Sequence, residues 1–211
     1  MTASTRAILF DVDGVLVHSL FHTDPQKRRR WDQHLLEDMG VDPTAFARLF
    51  AGGFEATITG KVSLIETLDG FLPTIGYTGS TLDFVAYWLG RDVYLNHQLF
   101  ESIKQLRASG GVRLYIATNQ EHLRANYLWS QLGLGHIFDD MFYAARLGVA
   151  KPDPRFFAKI NENIGPQQQV PLFFDDSGKV VDAAIDFGWD AALFTDVEDF
   201  RKHPWIAARL G

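Results

Sequence analysis

Residues 5–16 read Thr5-Arg6-Ala7-Ile8-Leu9-Phe10-Asp11-Val12-Asp13-Gly14-Val15-Leu16. Ala7 to Phe10 is apolar without alternation, which suits a strand buried on both faces of a parallel sheet. The run ends at once in Asp11 and Asp13, and Gly14 frees the backbone for a sharp departure. Four more short runs have the same character: Arg113 to Ala117, Met141 to Ala144, Val170 to Phe174 and Ala191 to Phe194. Helical spacing fills the gaps between them. Leu99, Ile103 and Leu106 fall at i, i+4, i+7, and Gly110-Gly111 stops that helix. Further helices are expected at His122 to Leu132, Pro154 to Ile164 and Val180 to Phe187. Strands alternating with helices predict an α/β, doubly wound parallel sheet. Its ligands should lie at the carboxyl ends of the strands.

One stretch breaks the alternation. From about His18 to Gly90 the apolar residues keep helical spacing, in the groups Trp31/Leu35/Leu36/Met39, Phe46/Leu49/Phe50, Leu64/Ile65/Leu68 and Phe84/Val85/Trp88. Residues 18–90 are therefore expected to form a small helical cap inserted into a core made of residues 1–17 and 91–211.

Composition narrows the function. Of the 211 residues, 46% are hydrophobic and 22% charged, enough for a real core and against disorder. The chain has no cysteine, which excludes disulfides, zinc–cysteine sites and thiol nucleophiles. A net charge of -6 argues against nucleic acid as a partner. No stretch approaches a membrane span, and Met1 to Arg6 lacks a signal-peptide core. A cytoplasmic protein is expected.

The chemistry gathers at strand ends. In extended chain, Asp11 and Asp13 share a face. An acidic turn is the plain reading of that pair. A second pair, Asp175-Asp176, follows the run Val170 to Phe174. Adjacent strand ends would bring four carboxylates together, which needs a cation, and oxygen-only ligands favour Mg²⁺ over zinc. Thr118 and Asn119 end another strand and offer a hydroxyl and an amide to a phosphoryl oxygen. Lys151, in Lys151-Pro152-Asp153-Pro154, can hold a phosphoryl oxygen and offset carboxylate repulsion.

These four motifs, in this order, resemble the haloacid dehalogenase superfamily, in the branch with a helical cap after the first motif. The resemblance covers essentially the whole chain. It implies Asp11 as a nucleophile and Asp13 as a general acid/base that is protonated for the first step. It implies Thr118 and Lys151 as phosphoryl-binding groups. It also implies a Mg²⁺ site made by Asp11, the Asp13 backbone carbonyl, Asp175 and Asp176, with Asp176 the more important of the last two. The expected reaction is hydrolysis of a small phosphate monoester through an aspartyl-phosphate. A sugar phosphomutase shares every one of these residues, and a non-catalytic binding protein on the same fold is the alternative of another class. True dehalogenases need neither Asp13 nor the metal site, so phosphoryl chemistry is favoured. Oligomeric state is not legible.

Selectivity is less marked. His18 lines the entrance by position, and His18 with His22 reads as a pair of helix-surface histidines. Lys27-Arg28-Arg29-Arg30 reads as a solvated basic face. Lys61, in the turn Thr59-Gly60-Lys61, is a candidate contact. Trp31, Phe46, Phe50, Phe54, Phe71 and Trp88 are expected to form the core of the insert itself.

Overall fold

The computed structural model describes residues 5–18, 20, 25–26 and 28–211. His22 and Lys27 therefore lie outside the described residues. Five strands form one sheet: β1 (Arg6–Phe10), β2 (Val112–Thr118), β3 (Asp140–Tyr143), β4 (Leu172–Asp175) and β5 (Asp190–Leu193). Their order is β3-β2-β1-β4-β5, and every pairing is parallel.

The alternation of β1 side chains decides what covers each face. Ile8 and Phe10 pack with the helix His97–Ala108 and with Phe200 and Ile206 near the C-terminus. Ala7 and Leu9 point the other way, onto Phe156, Phe157 and Ile160 of the helix Pro154–Ile164. Phe10 stacks on Phe174 of β4 at 5.7 Å between ring centroids. Each such buried ring is worth about 1.5–3 kcal/mol of hydrophobic stabilisation. The sheet is thus covered on both faces, which explains why its strands read as unbroken apolar runs.

Strand limits differ little from the sequence reading, with one instructive exception. Val170 is exposed, and β4 starts only at Leu172. Pro171 has no N–H to give to a ladder. The Val170 carbonyl instead accepts from Arg6 Nε at 2.8 Å. The expected helix His122 to Leu132 is two pieces, an α-turn over His122–Asn126 and a π-turn over Tyr127–Gln131.

Between β1 and the helix at His97 the described chain has no strand, only short helices: Leu35–Met39, Pro43–Ala51, Glu55–Ile58, Leu64–Phe71 and Thr81–Arg91. Their starts follow local chemistry. Asp42 accepts from the backbone of Thr44 and Ala45 ahead of Pro43–Ala51, and Ser63 and Ser80 cap the next two long helices. These helices share a third apolar cluster, separate from the two that flank the sheet. Trp31 stacks on Trp88 at 5.3 Å, and Phe46 lies 5.0 Å from Phe84. The outgoing and returning chains are clipped together. His18 donates its backbone N–H to Tyr94, and Asn96 Nδ2 donates to the Val15 carbonyl at 3.1 Å. No helix among the described residues is long and apolar enough to cross a membrane.

Candidate active site

Register assembles the site. Phe10 of β1 stands opposite Ile116 of β2 and Phe174 of β4. The next residues, Asp11, Ala117 and Asp175, therefore reach the carboxyl edge side by side. Carboxylate oxygens of Asp11, Asp175 and Asp176 all lie within 4.8 Å of one another. Such an all-oxygen cluster can hold a hard divalent cation.

Gly14 makes the close approach of Asp176 possible. Its φ is +80°, and a Cβ there would sit 2.0 Å from Asp176 Oδ2. Only glycine leaves room for that carboxylate over the turn.

Lys151 is the counter-charge. Its Nζ lies 2.9 Å from Asp11 and 2.6 Å from Asp175, and it also donates to the Ala117 carbonyl at 3.0 Å. Burial alone would lower the pKa of this lysine. The Asp11 and Asp175 charges outweigh it and hold the pKa above the usual lysine value. Asp175 is spent on Lys151 and on the backbone N–H of Ser177, whereas Asp176 lies at the solvent rim.

Asp11 and Asp176 are strained electrostatically. Burial, together with Asp175 and Asp13, pushes Asp11 up to about 7 in spite of Lys151. Burial and Asp175 push Asp176 up to about 6. Both groups are thus harder to ionise in the fold than in the unfolded chain. Their stabilising protons are fully held below the unfolded value of 3.8 and are lost as pH rises through about 6 to 7. In chelator, the thermal midpoint should therefore fall between pH 5 and pH 8. A midpoint that rose across that range would contradict this electrostatic picture, and differential scanning fluorimetry would show it.

Thr118 ends β2 fully buried, and its Oγ1 has no hydrogen-bond partner. A buried hydroxyl without a partner is costly, so this one is available to an incoming acceptor. Asn119 differs from expectation. Its side-chain amide donates to the Lys151 carbonyl at 3.0 Å and accepts from the Lys151 N–H at 2.8 Å. It fastens the Lys151 loop through its carbonyl oxygen and one of its two N–H groups.

Asp13 also differs from the expected protonated acid. Arg124 grips it with two hydrogen bonds of 2.8 Å, and Gln120 adds one of 2.6 Å. Burial would raise its pKa, but the Arg124 charge and these hydrogen bonds hold it below the usual carboxylate range. Arg124 is itself buried and pairs with Asp92 at 2.8 Å. Sequence reading missed Arg124, Gln120 and Asp92. Nothing in the run Gln120 to Arg124 separates these side chains from those of any surface helix.

The remaining candidates scatter. A cleft of about 440 Å³ opens from Asp13 between the short helices and the strand ends. His18 is not among its lining residues. Lys61 lines a second cleft of about 480 Å³, beside the Lys151 loop. Its turn touches the core at Gly60, where a Cβ would meet the Ala145 carbonyl at 2.9 Å. Arg29 donates to the carbonyls of Gln26 and Arg28, and Arg30 pairs with Asp32. Trp31, Phe46 and Trp88 are core, as expected, but they also face the cleft that opens from Asp13. Phe50 is 45% exposed and belongs to the cleft wall.

No protein of curated function matches the sequence significantly. Solved structures do share the fold. The haloacid dehalogenase family enzyme bt-2542 of Bacteroides thetaiotaomicron, in complex with magnesium and inorganic phosphate, has TM-score 0.70 at 19% identity, covering 90% of this chain and 93% of its own. A predicted hydrolase of the same family from Porphyromonas gingivalis gives 0.70 at 21% identity, covering 98% and 96%. L-2-haloacid dehalogenase from Xanthobacter autotrophicus, with chloropropionic acid covalently bound, gives 0.62 at 18%, covering 90% and 77%. A sequence model of haloacid dehalogenase-like hydrolases matches residues 5–188. With that match laid over the sheet and strand-end site just described, the chain belongs to the haloacid dehalogenase-like hydrolase family.

Proposed function

We propose that the protein is a Mg²⁺-dependent phosphatase that hydrolyses a small phosphate monoester through phosphorylation of Asp11. The carrying observation is the carboxylate cluster of Asp11, Asp175 and Asp176 with Lys151 bonded to two of its members. A nucleophilic carboxylate, a cation site and a fixed ammonium are what an anionic nucleophile needs to approach an anionic phosphate. The magnesium and phosphate bound by bt-2542 support the same reading. On this reading residues 18–90 act as a cap over a core of residues 1–17 and 91–211.

Bound at this cluster, Mg²⁺ would neutralise phosphoryl charge. Asp11 and Asp176, with the Asp13 carbonyl, would hold the ion, while Asp175 acts through Lys151. The Asp11 carboxylate attacks phosphorus and forms an acyl phosphate while the leaving oxygen departs. Lys151 Nζ and the unpartnered Thr118 hydroxyl donate to the phosphoryl oxygens. Asp13 gives a proton to the leaving oxygen, then takes one from the water that hydrolyses the acyl phosphate. Held by Arg124, Asp13 is a carboxylate, the form the second step needs. To act as the acid of the first step it takes up a proton from solvent as it leaves the Arg124 fork, and passes that proton to the leaving oxygen. Halide departs without a proton, so this second acid favours phosphoryl chemistry over dehalogenation.

The test is release of inorganic phosphate from an acyl or aryl phosphate with and without Mg²⁺. Release should fall to background in chelator and return on adding Mg²⁺. Release that was indifferent to the metal would overturn the reading, as would an isomerised sugar phosphate in place of free phosphate.

A further inference from the structure

This inference rests on the phosphatase reading above and concerns what the phosphate is attached to. We infer that the site takes esters of an uncharged, ring-bearing alcohol, in preference to sugar phosphates or substrates with a second anionic group.

Asp13 meets the leaving oxygen, and the 440 Å³ cleft opens from Asp13, so the leaving group lies in that cleft. One wall is aromatic: Trp31, Phe46, Phe50, Phe54 and Trp88. Phe50 packs edge-on against Phe54 at 5.2 Å and against Trp88 at 5.9 Å, yet stays 45% exposed and lines the cleft. A large ring left open beside a reactive centre offers apolar contact to a ligand.

The polar groups around the cleft are largely committed already. Asp32 takes two hydrogen bonds from Arg30, at 2.9 and 3.2 Å. Glu121 accepts from the backbone N–H groups of Leu123 and Arg124. Gln120 and Arg124 are spent on Asp13, and Asn119 on the Lys151 backbone. A sugar ring would bring several hydroxyls to acceptors that already hold these hydrogen bonds and would have to share them, and each hydroxyl left unmatched loses its water at a cost.

Charge excludes a second anion. Among the described residues, Asp13, Asp32, Glu55, Asp92 and Glu121 line the cleft, with Arg124 the one cation in that lining. Arg124 is already divided between Asp13 and Asp92. The described lining is net negative, which disfavours a second anion, while Arg30 and Arg124 already pair with three of its carboxylates, which weakens its pull on a cation.

The experiment compares primary-alcohol esters of similar intrinsic reactivity. The probes are 2-naphthylethyl phosphate, glucose 6-phosphate, fructose 1,6-bisphosphate and phosphoethanolamine, each with Mg²⁺. Acetyl phosphate, with almost no leaving group to recognise, serves as reference. The naphthylethyl ester should exceed glucose 6-phosphate in kcat/KM by roughly 100-fold, as expected for two fused rings gained and several hydroxyls unmatched. Phe50→Ala should lower the ratio of naphthylethyl to acetyl phosphate turnover by about tenfold. If acetyl phosphate is hydrolysed but glucose 6-phosphate, the bisphosphate or phosphoethanolamine is preferred, the substrate class is wrong and the phosphatase reading stands. If no probe, acetyl phosphate included, releases phosphate with Mg²⁺, the phosphatase reading fails and this inference falls with it.

Discussion

Asp11→Asn should reduce phosphate release by about 10⁴-fold or more while leaving the fold intact, because on the proposed mechanism it removes the nucleophile and keeps the shape. The amide fills the same space at the end of β1, but it has no anionic oxygen for phosphorus. Stability is the control. Burial already disfavours the Asp11 carboxylate and pushes it up to about 7. A neutral amide escapes that penalty, so the metal-free thermal midpoint at pH 8 should hold or rise. Lys151 keeps Asp175 at 2.6 Å, so it is not left without a partner. Phosphate release and a melting curve on one preparation would separate chemistry from folding. Activity within tenfold of wild type would remove Asp11 from the nucleophile's role.

Lys151→Met should damage both function and fold. Lys151 is buried and stands between Asp11 and Asp175. Methionine fills similar volume without charge. The two carboxylates would then face each other with no cation between them, and removing one partner of a buried ion pair costs about 3–5 kcal/mol. Protonation can relieve the repulsion, so the loss should be larger at pH 8 than at pH 5.5. Urea denaturation in chelator at the two pH values would show the difference. Equal losses at both pH values would mean that Lys151 acts by packing rather than by charge. Turnover with Mg²⁺ present should drop by roughly 10³-fold, the scale of losing a fixed donor to the transferring group.

Different kinds of contact explain why some of the site was legible and some was not. Asp11 and the second acidic pair stand at ends of apolar runs, and an apolar run followed by acids is a local pattern; Lys151 stood out by its place in Lys151-Pro152-Asp153-Pro154. The roles of Arg124 and Asn119 have no local signature. Arg124 reaches Asp13 across 111 positions, and Asn119 reaches the Lys151 loop across 32. The aromatic residues of the helical insert carried a half-truth. Their spacing revealed one apolar face, but a face can cover its own core and line a cleft at once, as Trp31 and Trp88 do. Val170 was misplaced by a single residue type, since the next position is a proline that cannot donate to the ladder.

By itself, the sequence determined the parallel sheet, the helical stretch between its first two strands and the strand ends where the chemistry gathers. Uniform apolar runs, 3.6-residue spacing and capping residues act through neighbours in the chain, so a linear reading captures them. The tertiary structure alone decided the rest: that Asp13 is held ionised by Arg124, that Asp175 serves Lys151 while Asp176 stays at the rim, and that Phe50 is open to the cleft. Those outcomes depend on how distant elements meet across the sheet edge, where differences of an ångström choose each side chain's partner. No periodicity in the chain records that distance.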